Sequence, residues 1–187
     1  MPNVIVISGA NGAGKSTLAP FLLRDTFGIV EYVNADTIAQ GLSAFAPENA
    51  ALEAGRIMLE RLHALGVSQK DFAFETTLAS RSYARWLKDL QVSGYSFHLV
   101  YLWLQNVELA IERVRERVRL GGHNIPIETI KRRYGRGLQN FFTLYRPLAD
   151  SWQVYDVSSL EPQIIAFGDK ITGENIIEET LWKQIKS

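Results

Sequence analysis

The first seventeen residues constrain this chain more than any other stretch. An apolar run, Val4-Ile5-Val6-Ile7, passes through Ser8 into Gly9-Ala10-Asn11-Gly12-Ala13-Gly14-Lys15-Ser16-Thr17, which satisfies the pattern G-x-x-x-x-G-K-S. The run reads as a buried strand, and the segment after it as a phosphate-binding P-loop. Its glycines let backbone N–H groups curl round a polyphosphate. The candidate nucleotide-binding residues are therefore Gly9, Asn11, Gly12, Ala13, Gly14, Lys15, Ser16 and Thr17. Lys15 reaches the outer phosphates, and Ser16 offers its hydroxyl to Mg²⁺. A helix predicted over about residues 15–24 aims its positive N-terminus at the same anion. Chance produces the four fixed positions in fewer than about one such chain in a hundred, so nucleoside triphosphate binding is the starting point for the rest.

The remaining sequence narrows the class. A length of 187 residues suits one domain with a sizeable core, and nothing suggests a linker or a repeat. Twenty basic residues balance twenty acidic ones, so no overall field favours nucleic acid or an anionic membrane. The absence of cysteine rules out disulfides and thiolate chemistry, and three scattered histidines argue against a zinc site. The apolar run at residues 4–7 is too short to span a bilayer, and no signal-peptide pattern precedes it, which predicts a cytosolic protein.

Along the chain, strands are expected at residues 29–33, 72–74, 97–104 and 153–157, with a further short one at 164–167. Helices fall between them. This is the pattern of a three-layer α/β/α P-loop fold around a mainly parallel, five-stranded sheet. Carboxyl ends of strands face the ligand in such sheets. Asp36, just past the second strand, then sits across the crevice from the P-loop as a general base for an acceptor hydroxyl. The same residue suits an N-cap for a short helix over 37–40. Glu75, at the tip of the third strand, is placed to serve Mg²⁺ with Ser16, and with Thr76, Thr77 and Arg81 it forms a donor-rich edge for substrate. Its blander reading is a solvated strand end. His98 reads as a satisfied core histidine and Met58 as packing.

Eight of the twenty basic residues fall between Arg113 and Arg136, on two predicted helices flanking Gly121-Gly122-His123. Arg113 and Arg117 share one helix face, Arg115 and Arg119 another. On the second helix Ile127, Ile130, Tyr134, Leu138, Phe141 and Tyr145 form an apolar stripe, leaving Arg132, Arg133 and Arg136 off it. A helical arginine-rich lid over about residues 113–136 follows, closing on a triphosphate with Arg113, Arg117, Arg132 and Arg133. A solvated charged hairpin is the alternative.

With Gly9 to Ser16, Asn34-Ala35-Asp36, Phe74-Glu75-Thr76-Thr77-Leu78 and the run from Arg113 through Gly121-Gly122-His123 to Arg132-Arg133-Tyr134 in hand, the chain resembles the zeta toxin family of P-loop kinases from Ile5 to about Ser158. The resemblance implies ATP- and Mg²⁺-dependent phosphorylation of a sugar hydroxyl, with Asp36 as base and lid arginines on the phosphates. The best-known members phosphorylate UDP-N-acetylglucosamine and are paired with an antitoxin, which makes an antitoxin a candidate partner here. This chain is shorter than those members and has Glu-Thr-Thr where a glycine-containing variant is expected, departures that fall on the acceptor side. A small-molecule kinase is the leading expectation. A regulatory ATPase that hydrolyses ATP without an acceptor is the second. A nucleic-acid 5′-kinase is disfavoured by the neutral net charge and the lack of a stacking platform.

Overall fold

The apolar run that opens the chain becomes a strand whose residues Val4, Ile5, Val6 and Ile7 are completely buried. The computed structural model describes residues 1–26, 28–122 and 124–187. In chain order its elements are β1 (Asn3–Gly9), α1 (Lys15–Pro20), β2 (Tyr32–Val33), α2 (Ala35–Leu42), α3 (Ala51–Val67), β3 (Phe72–Thr76), α4 (Ser82–Val92) and β4 (Ser96–Trp103). Then follow α5 (Val107–Arg119), α6 (Ile127–Asn140), α7 (Arg146–Leu148), β5 (Ser151–Asp156), β6 (Gln163–Asp169), β7 (Gly173–Ile176) and α8 (Glu179–Lys186).

One sheet runs in the order β2-β3-β1-β4-β5-β6-β7. The five expected strands pair in parallel, and β6 and β7 extend them antiparallel. Among the described residues the sheet therefore has seven strands rather than five. The seventh, Gly173–Ile176, is exposed at every residue, so it carries no alternation to betray a strand. The second strand is also shorter than expected, Tyr32–Val33.

The two-residue period of β1 divides the interior. Val4 and Val6 pack with Met58, Leu62 and Leu65 of α3 and Leu87 and Leu90 of α4. Ile5 and Ile7 pack on the other face with Ala19 of α1 and Ala110, Ile111 and Val114 of α5. Helices thus cover both faces, as near-continuous apolar strands require. Pro20 lacks an N–H, and α1 continues beyond it as a wider π-type turn over Phe21–Thr26. Helix α6 begins in the second layer, where Ile130 is buried, and its continuation reaches Phe141 and Tyr145 in the first. It crosses the carboxyl ends of the strands. Among the described residues no helix is long and apolar enough to cross a membrane.

Candidate nucleotide-binding and phosphotransfer site

The P-loop follows β1 into tight quarters. Gly9 has φ 142°, and a Cβ on it would meet the Leu102 carbonyl oxygen at 2.3 Å. Gly12, at φ 82°, would meet the Ala110 carbonyl oxygen at 2.8 Å, so the loop lies directly on α5. Among the described residues no side chain caps the start of α1 at Gly14. Lys15 folds back over the loop and donates to the carbonyls of Gly9 and Ala10, both at 3.0 Å. Burial lowers the pKa of its ammonium. The carboxylates of Glu75 and Asp36 oppose that shift, and Arg117 and Arg133 reinforce it.

Those charged groups surround one cavity of about 490 Å³. Of the residues singled out in the sequence, Asn11, Gly12, Gly14, Lys15, Ser16, Thr17, Asp36, Glu75, Thr76, Thr77, Arg113, Arg117 and Arg133 line it. Gly9 and Ala13 support the loop from beneath, Ala13 almost fully buried. Arg81 and Arg132 are exposed and do not line the cavity. Arg81 is displaced because Leu78 adopts φ 57° and turns the chain, while Asn140 and Tyr145 donate to the carbonyls of Leu78 and Ser80 and hold the segment. Arg132 is displaced by helix geometry: the buried Ile130 fixes the rotation of α6, which leaves Arg133 toward the cavity and Arg132 a further 100° round. Burial lowers the Arg133 pKa, Asp36 raises it and Arg132 lowers it.

On α5 the shared face of Arg113 and Arg117 is the one that reaches the cavity, while Arg115 and Arg119 are exposed. Arg113 donates to the Ser158 carbonyl at 2.9 Å. Asp156, at the end of β5, is buried and accepts from Gln105 Nε2 and the Ser158 N–H. Its role is to hold the Arg113 anchor. Helix α5 ends in a Schellman motif: Gly121 (φ 87°) donates to Val118 and Gly122 to Arg117. A Cβ on Gly122 would lie 2.6 Å from Arg117 Cγ, so this turn packs against that arginine's stem. His123 of the expected hinge lies outside the described residues.

Asp36 is not the cap of its helix. Asn34 is, accepting from the N–H groups of Asp36 at 2.7 Å and Thr37 at 3.4 Å. The Asp36 carboxylate therefore stands in the first turn of α2, exposed on the cavity wall. A hollow of about 150 Å³ adjoins the cavity and shares Ala35, Asp36 and Arg133 with it.

Glu75 sits beside Ile7 in the β1–β3 ladder, next to the P-loop entrance. Its Oε2 accepts from Ser16 Oγ at 2.9 Å and from Tyr32 Oη at 2.5 Å. Burial and the Glu75 carboxylate raise the Tyr32 pKa strongly, so the phenol keeps its proton. Tyr32 and Asn34 escaped the sequence reading of individual roles. Their one available signal is spacing: two residues apart at a strand end, they point to the same side. No cluster of three or more His, Cys, Asp or Glu residues among those described forms a metal cage. One hydroxyl and one carboxylate in contact at a phosphate-binding loop fit Mg²⁺, which takes few protein ligands and completes its shell with phosphate oxygens and water.

Comparison with known proteins places the chain in a family. The sequence profile of the family described as zeta toxin matches residues 1–159. An uncharacterised protein of Haemophilus influenzae is 34% identical over 130 residues, which is 70% of this chain and 91% of that protein. A chain of the PezAT chromosomal toxin–antitoxin system of Streptococcus pneumoniae shares the fold with a TM-score of 0.68 at 16% identity, covering 98% of this chain and 78% of that one. So does a chain of AvrRxo1-ORF1:-ORF2, crystallised with ATP, with a TM-score of 0.78 at 15% identity, covering 100% of this chain and 64% of that one.

Proposed function

The chain belongs to the zeta toxin family, and from that premise we propose that it is a kinase, transferring the γ-phosphoryl group of ATP to a hydroxyl of a small molecule. The observation that carries this reading is the placement of Asp36. Its carboxylate lines the same cavity as Lys15, is spared from capping by Asn34, and also lines the adjoining hollow.

Each group then has a task. The P-loop and Lys15 hold the phosphates, and Lys15 exchanges its two carbonyl partners for phosphate oxygens. Asp36 takes the proton of the acceptor hydroxyl as that oxygen bonds to the γ-phosphorus. The bond from the γ-phosphorus to the bridging oxygen breaks, and ADP carries away the electron pair. Arg113, Arg117 and Arg133 neutralise charge on the transferring group. Ser16 and Glu75 would hold Mg²⁺, which would supply further charge neutralisation at the phosphates. Thr76 and Thr77 offer hydroxyls on the acceptor side.

For the acceptor we propose a sugar nucleotide such as UDP-N-acetylglucosamine, and for a protein partner an antitoxin. Family membership supports both, and the fold shared with the PezAT chain supports the second.

The test follows the label from γ-labelled ATP with Mg²⁺, with and without a panel of sugar nucleotides and amino sugars. Label on an acceptor is the expected result. Label released solely as inorganic phosphate, at a rate indifferent to every acceptor, would replace this reading by that of a regulatory ATPase.

A further inference from the structure

Asn34 is 5% exposed and makes contacts at both ends of its amide. Its Oδ1 faces two backbone donors, the N–H groups of Asp36 and Thr37, which fixes the orientation of the group. Its Nδ2 then points at Ser16 Oγ, 3.2 Å away. The Ser16 hydroxyl has one proton and two lone pairs. The proton goes to Glu75 Oε2 at 2.9 Å and one lone pair receives the Asn34 amide. One lone pair remains, on an exposed residue that lines the nucleotide cavity.

We infer that Asn34 is a positioning residue that ties the Ser16 hydroxyl to the first turn of the Asp36 helix, setting metal ligand and base as one unit. The inference rests on the reading of Ser16 as a Mg²⁺ ligand given above. A cap alone accepts Ser, Thr, Asp or Asn with little preference. The second contact asks for an acceptor and a separate donor on one side chain, and of those four residues only asparagine supplies both. The donor stops the Ser16 hydroxyl from rotating, so the free lone pair keeps its direction before any metal arrives. The acceptor holds the backbone of Asp36, so a shift of the P-loop serine carries the base with it.

The experiment compares ATP affinity with and without Mg²⁺, by calorimetry, in the wild type and in Asn34→Ser and Asn34→Thr. Both replacements keep an N-cap and lose the amide donor. Far-UV circular dichroism reports that α2 persists. The variants should bind Mg²⁺-free ATP as the wild type does and lose about 3- to 10-fold of the gain that Mg²⁺ confers, the worth of one hydrogen bond. A full Mg²⁺ gain in both variants overturns the inference. So does an equal loss of affinity with and without the metal, which marks Asn34 as structural. A wild type whose affinity ignores Mg²⁺ overturns this inference together with the metal reading of Ser16. Labelled phosphate that never reaches an acceptor, beside the expected loss of Mg²⁺ gain, leaves the inference standing and removes the kinase.

Discussion

Gly137 of α6 lies so close to Thr77 that a Cβ on it would stand 2.2 Å from the Thr77 carbonyl oxygen. One turn further on, Asn140 donates to the Leu78 carbonyl at 2.8 Å. One turn back, Arg133 lines the cavity. A single helix therefore sets both the height of the threonine-bearing edge and the reach of an arginine. The contact makes the glycine a condition of the site's shape.

Two glycines in α6 should respond to alanine with opposite signs. Gly135 is exposed, and among the described residues nothing lies within 4 Å of an added Cβ. Gly135→Ala should therefore gain up to about 1 kcal/mol from helix propensity. Gly137→Ala gains the same propensity but drives a methyl into a backbone carbonyl that cannot swing aside, and overpacking of this kind costs about 1–3 kcal/mol. Urea unfolding of the two variants decides it. A stabilised Gly137→Ala protein would mean that α6 stands further from β3 than described.

The neighbouring arginines Arg132 and Arg133 should differ as sharply. Loss of a transition-state arginine costs about a thousandfold or more in kcat, and Arg133→Ala is expected in that range. Arg132 is exposed and off the cavity, so Arg132→Ala should stay within about twofold of wild type, as surface changes do. Steady-state kinetics with the identified acceptor gives both values. The reverse ranking would put the rotation of α6 in error.

That pair also shows where the sequence stops being legible. The P-loop, its strand and the Arg113–Arg117 face are local patterns, set by contacts within a few residues, and were readable in advance. Choosing between Arg132 and Arg133 required knowing where Ile130 docks, a tertiary fact. The cluster of Tyr32, Asn34, Ser16 and Glu75 joins residues up to 59 positions apart through side-chain hydrogen bonds. No periodicity encodes such a cluster. Asp36 was readable as a base or as a cap, and the choice fell to Asn34, whose contact with two N–H groups appears once the turn after β2 is formed.

Alkaline pH should destabilise the fold. All seven tyrosines, counted from the sequence, have raised pKa values, with burial as the first cause in each; Tyr145, for instance, is pushed up to about 12. An unfolded chain ionises its tyrosines near about pH 10, while the folded chain still holds those protons. Unfolding then releases protons, so the tyrosine contribution is complete below about pH 10 and declines as pH rises above it. Denaturant unfolding at a series of alkaline pH values measures the slope. Tyr101, 3% exposed within β4, is raised by burial, and Tyr101→Phe should make the decline shallower. An unchanged slope would assign the alkaline transition to other groups.

Asp36→Asn separates chemistry from binding. The substitution keeps the shape of the side chain and leaves the cap untouched, because Asn34 supplies it, so α2 and the cavity wall should persist. Asparagine takes up no proton from an acceptor hydroxyl, and removal of a general base costs about 10²–10⁴ in rate. A loss of that size in kcat is expected. Affinity for ATP should stay the same or rise slightly, since a negative charge has been removed from a cavity that receives phosphates. Single-turnover kinetics with γ-labelled ATP reads the first effect and calorimetry the second. Full activity in the variant would take the proton away from Asp36 and leave Glu75, the other carboxylate among the described residues that line the cavity, as the group to test.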